Sequence, residues 1–172
     1  MRTGHSTVIN DDSSPASQEI PAATIQSFLQ DYCHTLDDGE IDNWVGFFKE
    51  DATYQITTRE NRVKGYPIGI VLCEGRGMMN DRIKALKNAN IFESHTYCHI
   101  LGYPSIQSGD KGLLAVRTNF VVYRTMYTGE AELFASGKYL DLIAQDNDGP
   151  RFAERLVVLD SRRIDTLLVY PL

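Results

Sequence analysis

The sequence predicts an α+β domain in which a strongly curved, cone-shaped antiparallel sheet wraps around N-terminal helices. In the first half of the chain, apolar residues recur at the spacing of an amphipathic helix. From His95 onward they alternate with polar residues at a period of two, and turn-forming sequences separate the strand-like segments. Helices followed by a run of strands are typical of an α+β fold, whereas an α/β fold would interleave the two.

The first predicted element is an amphipathic helix. Its apolar stripe, with spacings of i, i+3, i+4, i+7 and i+11, consists of Ile25, Phe28, Leu29, Tyr32 and Leu36. Ser17 or Thr24 is suited to cap the start of the helix, and Pro21 suits its first turn. Gly39 is placed to end the helix, because glycine readily adopts the left-handed conformation found after helix ends.

The segment between this helix and the long strands is predicted to hold two further helices. The apolar face of a short second helix is formed by Ile41, Trp44, Val45 and Phe48. Residues 52–58 predict a strand, and the polar stretch 60–67, which ends in Gly-Tyr-Pro, predicts a loop. A short apolar run covers residues 68–73. A third helix is predicted over residues 77–89, where the apolar residues at helical spacing are Met79, Ile83 and Leu86.

The second half of the chain is predicted to form long strands joined by hairpin turns. The strand segments are residues 113–123, 131–143, 152–159 and 164–170. In the first of these, Arg117 and Asn119 lie opposite an apolar face that runs from Leu114 to Val122. Gly137 interrupts the second and predicts a bulge or a bend. Turn sequences occur at residues 108–110, 128–130 and 147–149.

Length and charge indicate a single-domain globular protein. The 172 residues fit one domain, predicted to span residues 17–172 after a flexible polar tail of residues 1–16. The net charge of −6 argues against binding to nucleic acid or to an anionic membrane surface. No segment has the pattern of a signal peptide or a membrane span, so we expect a cytoplasmic protein. Cys33, Cys73 and Cys98 lack close spacing and indicate reduced thiols.

The segment ESHTYCHIL, residues 93–101, is the strongest candidate for a metal site. His95 and His99 lie four residues apart, and Glu93 precedes them. However, the segment predicts a strand, in which residues four apart are separated by roughly 13 Å. Two imidazoles on such a strand cannot both approach one metal at about 2.1 Å. The sequence therefore predicts no metal ligands here, but structural or interface histidines.

Motifs for catalysis or cofactor binding are likewise not predicted. The C-x-H and C-x-x-H pairs of an iron–sulfur site do not occur, and the Gly75-Arg76-Gly77 sequence lacks the third glycine of a dinucleotide-binding loop. One alternative is a stand-alone lyase or isomerase with an acid–base pair in the pocket of the cone. The candidate residues for that pair are Asp31, Tyr32, Asp51, Tyr54 and His99. A second alternative is a module that binds a small ligand.

Five blocks of the sequence resemble the β subunits of aromatic-ring-hydroxylating dioxygenases. They are DNWVGFFKEDATYQIT (42–57), GIVLCEGRGMMNDRIKAL (69–86), NANIFESHTYCHILGYPSIQSGD (88–110), TGEAELFASGKYLD (128–141) and DSRRIDTLLVYPL (160–172). Together they cover most of the chain from about residue 25 onward. A collinear match of this length is specific at the level of the family.

The resemblance implies a cone of the cystatin-like, nuclear transport factor-like type and a non-catalytic structural role. The implied complex has three α and three β subunits, and the β subunits form a homotrimer. The α subunits would hold the Rieske [2Fe-2S] cluster and a mononuclear Fe(II), and a separate reductase would pass on electrons from NAD(P)H. The implied substrate is an aromatic carboxylate of the terephthalate or salicylate type. Aromatic side chains are enriched at interfaces, and the candidate interface residues are Phe92, Tyr97, His99, Tyr103 and Tyr170.

Overall fold

A computed structural model of the chain describes residues 20–67, 69–88, 94–161 and 170–172. Helices precede most of the strands, and the predicted α+β fold is confirmed. The helices of the described residues are α1 (Ala22–Asp37), a 3-10 helix (Ile41–Phe47), α2 (Arg59–Val63), α3 (Gly75–Asn88) and a short 3-10 turn (Asp110–Gly112). The strands are β1 (Phe48–Thr58), β2 (Val71–Glu74), β3 (His95–Leu101), β4 (Ser105–Ser108), β5 (Leu114–Met126), β6 (Ala131–Asp146) and β7 (Gly149–Leu159).

The seven strands form one sheet in the order β2-β1-β7-β6-β5-β3, with β4 also paired to β5. Neighbouring strands are antiparallel except β1 and β7, which run parallel. The sequence did not indicate this pair, because it joins strands that are far apart in the chain. α1 packs against β3 and α3 packs against β1, so the apolar side chains of the helices and of one sheet face share a core.

Helix α1 buries the predicted apolar stripe completely. It begins directly after Pro21, whose carbonyl oxygen accepts a hydrogen bond from the Thr24 N–H at 2.9 Å. Because no side chain caps this end, the predicted cap at Thr24 is wrong, and Ser17 lies outside the described residues. Gly39 has a φ of +74°, and the predicted end of the helix is confirmed.

The stretch from residue 60 to 67 is not simply a loop. Its first part belongs to the one-turn helix α2, because the Thr58 side chain accepts a hydrogen bond from the Asn61 N–H at 3.2 Å and so caps the start. β1 begins four residues before its predicted start, and α3 begins at Gly75, two residues early. The predicted strand 164–170 lies almost entirely outside the described residues.

Two bulges and one close contact shape the long strands. The β5–β6 register shifts at Phe134, and the β6–β7 register shifts at Ala153, so each is an extra residue that bends its strand. The β5–β6 register runs unbroken through Gly137, so of the predicted bulge or bend the structure shows no bulge there. A Cβ atom on Gly137 would lie 2.1 Å from the Val158 carbonyl oxygen, so the two strands can approach this closely only with glycine. The three predicted hairpin turns are confirmed.

Candidate functional sites: the interior of the cone and the outer face of the sheet

An ion pair lies at the centre of the interior. Asp141 on β6 and Arg155 on β7 are directly opposite in the strand register, and both side chains are fully buried. The guanidinium donates to both carboxylate oxygens, at 3.0 and 3.1 Å. Its carbon also lies 4.0 Å from the ring centres of Tyr32 and Tyr139 and 4.2 Å from that of Phe152. Arg155 thus joins α1 to the sheet through one paired charge and three aromatic faces.

The pKa shifts of the two groups indicate that the pair is ionised. Burial lowers the pKa of Arg155, but the Asp141 carboxylate, together with Tyr32 and Tyr139, more than offsets this and holds that pKa above its ordinary value. Burial raises the pKa of Asp141, and Arg155 opposes the increase. The proton therefore stays on the guanidinium. A buried charge that has lost its partner would be strongly destabilising.

A second polar cluster joins α1, the 3-10 helix and β1 to the last residue of the sequence. Leu172 is fully buried. Its carbonyl oxygen accepts hydrogen bonds from the Tyr32 hydroxyl at 2.9 Å and from the Tyr54 hydroxyl at 3.3 Å. The Leu172 N–H donates to the Tyr54 oxygen at 2.9 Å, and Trp44 Nε1 donates to the Tyr32 oxygen at 3.0 Å. Burial raises the pKa of Tyr32 to about 12, so both phenols remain neutral donors.

A third contact ties α1 to β3. His99 Nδ1 lies 2.5 Å from Asp37 Oδ1, and the His99 backbone N–H donates to Asp37 Oδ2 at 2.9 Å. The His99 imidazole is fully buried, and its Nε2 has no hydrogen-bond partner among the described residues. This imidazole is therefore a buried structural histidine that fastens the end of the helix to the sheet.

The five candidates for an acid–base pair do not meet in one site. Asp31 and Asp51 are exposed on the surface, whereas Tyr32, Tyr54 and His99 are buried. Within the described ranges, no group of three or more His, Cys, Asp or Glu side chains is arranged to hold a metal ion. None of the helices in those ranges is long and apolar enough to cross a membrane.

The outer face of the sheet carries apolar side chains that are exposed or half-buried on three adjacent strands. We call this the outer strip, and it consists of Cys98, Ile100, Val121, Tyr123 and Leu133. In the register, Tyr123 lies opposite both Cys98 and Leu133. Ile100 is 53% exposed, Tyr123 43% and Leu133 58%. An antiparallel sheet with one solvated face normally carries polar residues there, so a continuous apolar strip indicates a contact surface.

Next to the strip, the same outer face forms a groove of about 530 Å³. Its apolar floor includes Leu140, Leu142 and Leu156. Four basic residues line this groove or the adjoining one, and they are Arg59, Arg62, Arg117 and Lys138. No carboxylate forms an ion pair with any of the four within the described part of the chain. Although Glu154 also lines the groove, the surface is basic in a protein of net charge −6.

The structure places the predicted interface residues in different environments. Tyr103 is 80% exposed, in the connection between β3 and β4. Tyr97 and His99 point into the core, and Tyr170 is partly buried with its ring centre 5.9 Å from that of Tyr97. Phe92 lies outside the described residues. Their role at an interface stays a prediction.

Three charged residues of the interior were not predicted from the sequence, and they are Asp37, Asp141 and Arg155. A signal for two of them was present. Asp141 lies between Tyr139 and Ile143 on the buried face of β6, and Arg155 shares its face of β7 with Val157. A charged residue at an inward position of a strand requires a buried partner. The partner becomes evident only from the β6–β7 register.

Comparison with known proteins agrees with the fold. Residues 33–166 match the family model described as the ring hydroxylating beta subunit. The chain is 45% identical to subunit beta 1 of the terminal oxygenase component of terephthalate 1,2-dioxygenase from Comamonas sp, over 86% of this chain and 96% of that protein. It is 37% identical to the anthranilate 1,2-dioxygenase small subunit from Burkholderia cepacia, over 82% of this chain and 88% of that protein.

Solved structures show the same relationship. A crystal structure of a β subunit assigned to the aromatic-ring-hydroxylating dioxygenases, from Novosphingobium aromaticivorans, matches with a TM-score of 0.80 and 31% identity, covering 88% of this chain and 96% of that one. The β subunit of benzoate 1,2-dioxygenase from Burkholderia mallei has the same fold, with a TM-score of 0.69 over 83% of this chain and 93% of that one. The alternative of a stand-alone lyase or isomerase is less supported. The chain belongs to the ring-hydroxylating β-subunit family and is a structural β subunit of an aromatic-ring dioxygenase.

Proposed function

We propose that this chain supports the catalytic α subunits in a cytoplasmic complex of three α and three β subunits, with the β subunits forming a homotrimer. We further propose that the complex oxidises an aromatic carboxylate of the terephthalate or salicylate type. The names of the relatives support this class, because terephthalate and anthranilate both carry a carboxylate on an aromatic ring. Since no residue of this chain is assigned to the reaction, the choice between substrates would be made by the α subunit.

The observation that carries the structural role is the uncovered outer face of the sheet. The helices cover the inner face, whereas Ile100, Tyr123 and Leu133 of the outer strip remain exposed and the leucines of the groove are only half-buried. Burial of apolar surface is the main favourable contribution to stable association. A subunit that acts by assembly needs such a surface, and a stand-alone enzyme of this fold does not.

The basic charge of the two grooves indicates the chemistry of the partner surface that would cover them. The four basic side chains that line the two outer grooves have no carboxylate partners within the described residues. Opposite charge on a partner would steer the encounter and fix the register of the two surfaces. We therefore expect the groove to contact an acidic segment of a neighbouring subunit.

The metal centres and the electron supply are proposed to lie outside this chain. A Rieske cluster needs two cysteines and two histidines close together, and a mononuclear iron needs two histidines and one carboxylate. Here Cys33 and Cys73 are buried while Cys98 is exposed, and Asp37 already holds His99. These residues do not fit either centre. The α subunit is the expected holder of both, with NAD(P)H oxidised by a separate reductase.

Expression with and without the α subunit tests the proposal. The chain purified alone is expected to be colourless, to contain no stoichiometric iron and to sediment as a trimer. Co-expressed with a catalytic α subunit of the family, the chain is expected to give a brown complex of both subunits in equal amounts. Sedimentation mass and iron content are the measurements. Iron bound by the chain alone, or oxygen-dependent turnover without the α subunit, would contradict the assignment.

A further inference from the structure

The buried position of Leu172 resembles that of a bound ligand. The segment Tyr170–Leu172 enters the interior from β3, where the Tyr170 ring lies beside His95 and Tyr97, and ends between α1, the 3-10 helix and β1. Leu172 is fully buried. Its backbone N–H and its carbonyl oxygen are both hydrogen-bonded to tyrosine hydroxyls.

The residues around it come from three separate elements. Tyr32 belongs to α1, Trp44 to the 3-10 helix and Tyr54 to β1, and all three side chains are fully buried. The Trp44 and Tyr54 rings meet edge to face with their centres 5.0 Å apart, and Trp44 Nε1 is bonded to the Tyr32 oxygen. These contacts do not involve Leu172. The three side chains therefore hold one another in position without Leu172. They offer an occupant one hydrogen-bond donor, the Tyr32 hydroxyl, and one group that both donates and accepts, the Tyr54 hydroxyl.

We propose that Tyr32, Trp44 and Tyr54 form a binding site for a peptide-like amide that carries a branched aliphatic group, and that the chain's own Leu172 fills this site. The site takes one carbonyl oxygen, which accepts from both tyrosine hydroxyls, and one amide N–H, which donates to Tyr54. This inference is independent of the proposed assembly. It predicts that the cone can bind a small amide once the segment is removed.

The sequence supplies a built-in probe, because Trp44 is its single tryptophan. The test compares the full chain with a variant that lacks Pro171 and Leu172. In the variant, water replaces Leu172, so the emission of Trp44 is expected to shift to longer wavelength. N-acetyl-L-prolyl-L-leucine is then added as a substitute for the missing residues. It is expected to restore the emission in a saturable manner and to raise the unfolding temperature of the variant.

Two controls separate binding at this site from general effects. N-acetyl-L-prolyl-glycine offers the same backbone groups without the branched side chain and is expected to bind at least tenfold more weakly, because the burial of the leucine side chain is lost. The full chain is expected to show no response to either peptide. A folded variant that ignores the leucine peptide, or a full chain that responds equally, would overturn the proposal.

A second measurement uses the full chain and remains informative if the shortened variant does not fold. In the unaltered chain, hydrogen exchange at the Leu172 amide is expected to be slow, because Tyr54 accepts its hydrogen bond. Tyr54→Phe removes the acceptor but keeps the ring, so exchange at this amide is expected to be about tenfold faster. Exchange at Leu172 that is as fast as in an unfolded peptide would refute the occupied site.

Discussion

The interior of the cone and the outer face of the sheet differ in whether their charged groups are paired within the chain. Inside, Asp141 pairs with Arg155 and Asp37 pairs with His99, each within one chain. Outside, four basic side chains line grooves without a carboxylate partner in the described residues, and apolar side chains are exposed beside them. We therefore expect the interior to determine whether this chain folds and the outer face to determine what it binds. Substitutions in the two regions should have separable effects.

The largest expected effect comes from breaking the central ion pair. Arg155→Met leaves the Asp141 carboxylate buried without its partner and removes the cation from three aromatic faces. We expect the free energy of unfolding to fall by about 3–5 kcal/mol, as measured by urea denaturation. The double variant Asp141→Leu/Arg155→Met removes both charges and should recover a large part of this loss. A single variant as stable as the unaltered chain would show that the pair is not needed for folding.

The second largest expected effect is a loss of folding stability at alkaline pH. Burial raises the pKa of Tyr32 from about 10 to about 12, so between these values the folded chain keeps a proton that the unfolded chain releases. The stabilisation is fully present below pH 10 and is lost as the pH rises to about 12, which amounts to about 3 kcal/mol for this group. Burial also raises the pKa values of Tyr54 and Tyr139, so both contribute in the same direction. Urea denaturation from pH 8 upward measures how steeply the free energy of unfolding falls with pH. Tyr32→Phe should make this slope shallower. An equal slope in the two proteins would contradict the contribution assigned to Tyr32.

Removal of the contact between α1 and β3 should cost less. Asp37→Ala leaves the His99 ring nitrogen and backbone N–H without their acceptors in a buried position. We expect a loss of about 1–3 kcal/mol in the free energy of unfolding. The neighbouring Asp38 is exposed, so Asp38→Ala is the matched control and should change stability by less than about 0.5 kcal/mol. Equal effects of the two variants would show that the His99 contact contributes nothing specific.

The sequence predicted the parts of this structure that depend on local periodicity. The α1 stripe, the glycine after it and the three hairpin turns follow from spacing and turn chemistry within a few residues. Helix α2 was missed because one side-chain bond from Thr58 nucleates it in an otherwise polar stretch. The Asp141–Arg155 pair depends on a strand register, and the Asp37–His99 pair depends on helix-to-sheet packing. Such partners are separated in sequence, so periodicity alone cannot assign them.

The smallest expected effect on stability belongs to the outer strip, where the effect on assembly should be the largest. Leu133→Glu places a charge at a position that is 58% exposed in the single chain, so the free energy of unfolding should change by less than about 0.5 kcal/mol. In the complex, the charge would be buried in an apolar contact and should prevent assembly. Met78→Glu on α3, at a position 47% exposed and away from the strip and the grooves, is the matched control and should leave the complex intact. Sedimentation of both variants with the α subunit distinguishes the outcomes. If Leu133→Glu forms the complex as readily as Met78→Glu, the outer strip is not an interface, and the partner must contact another part of the chain.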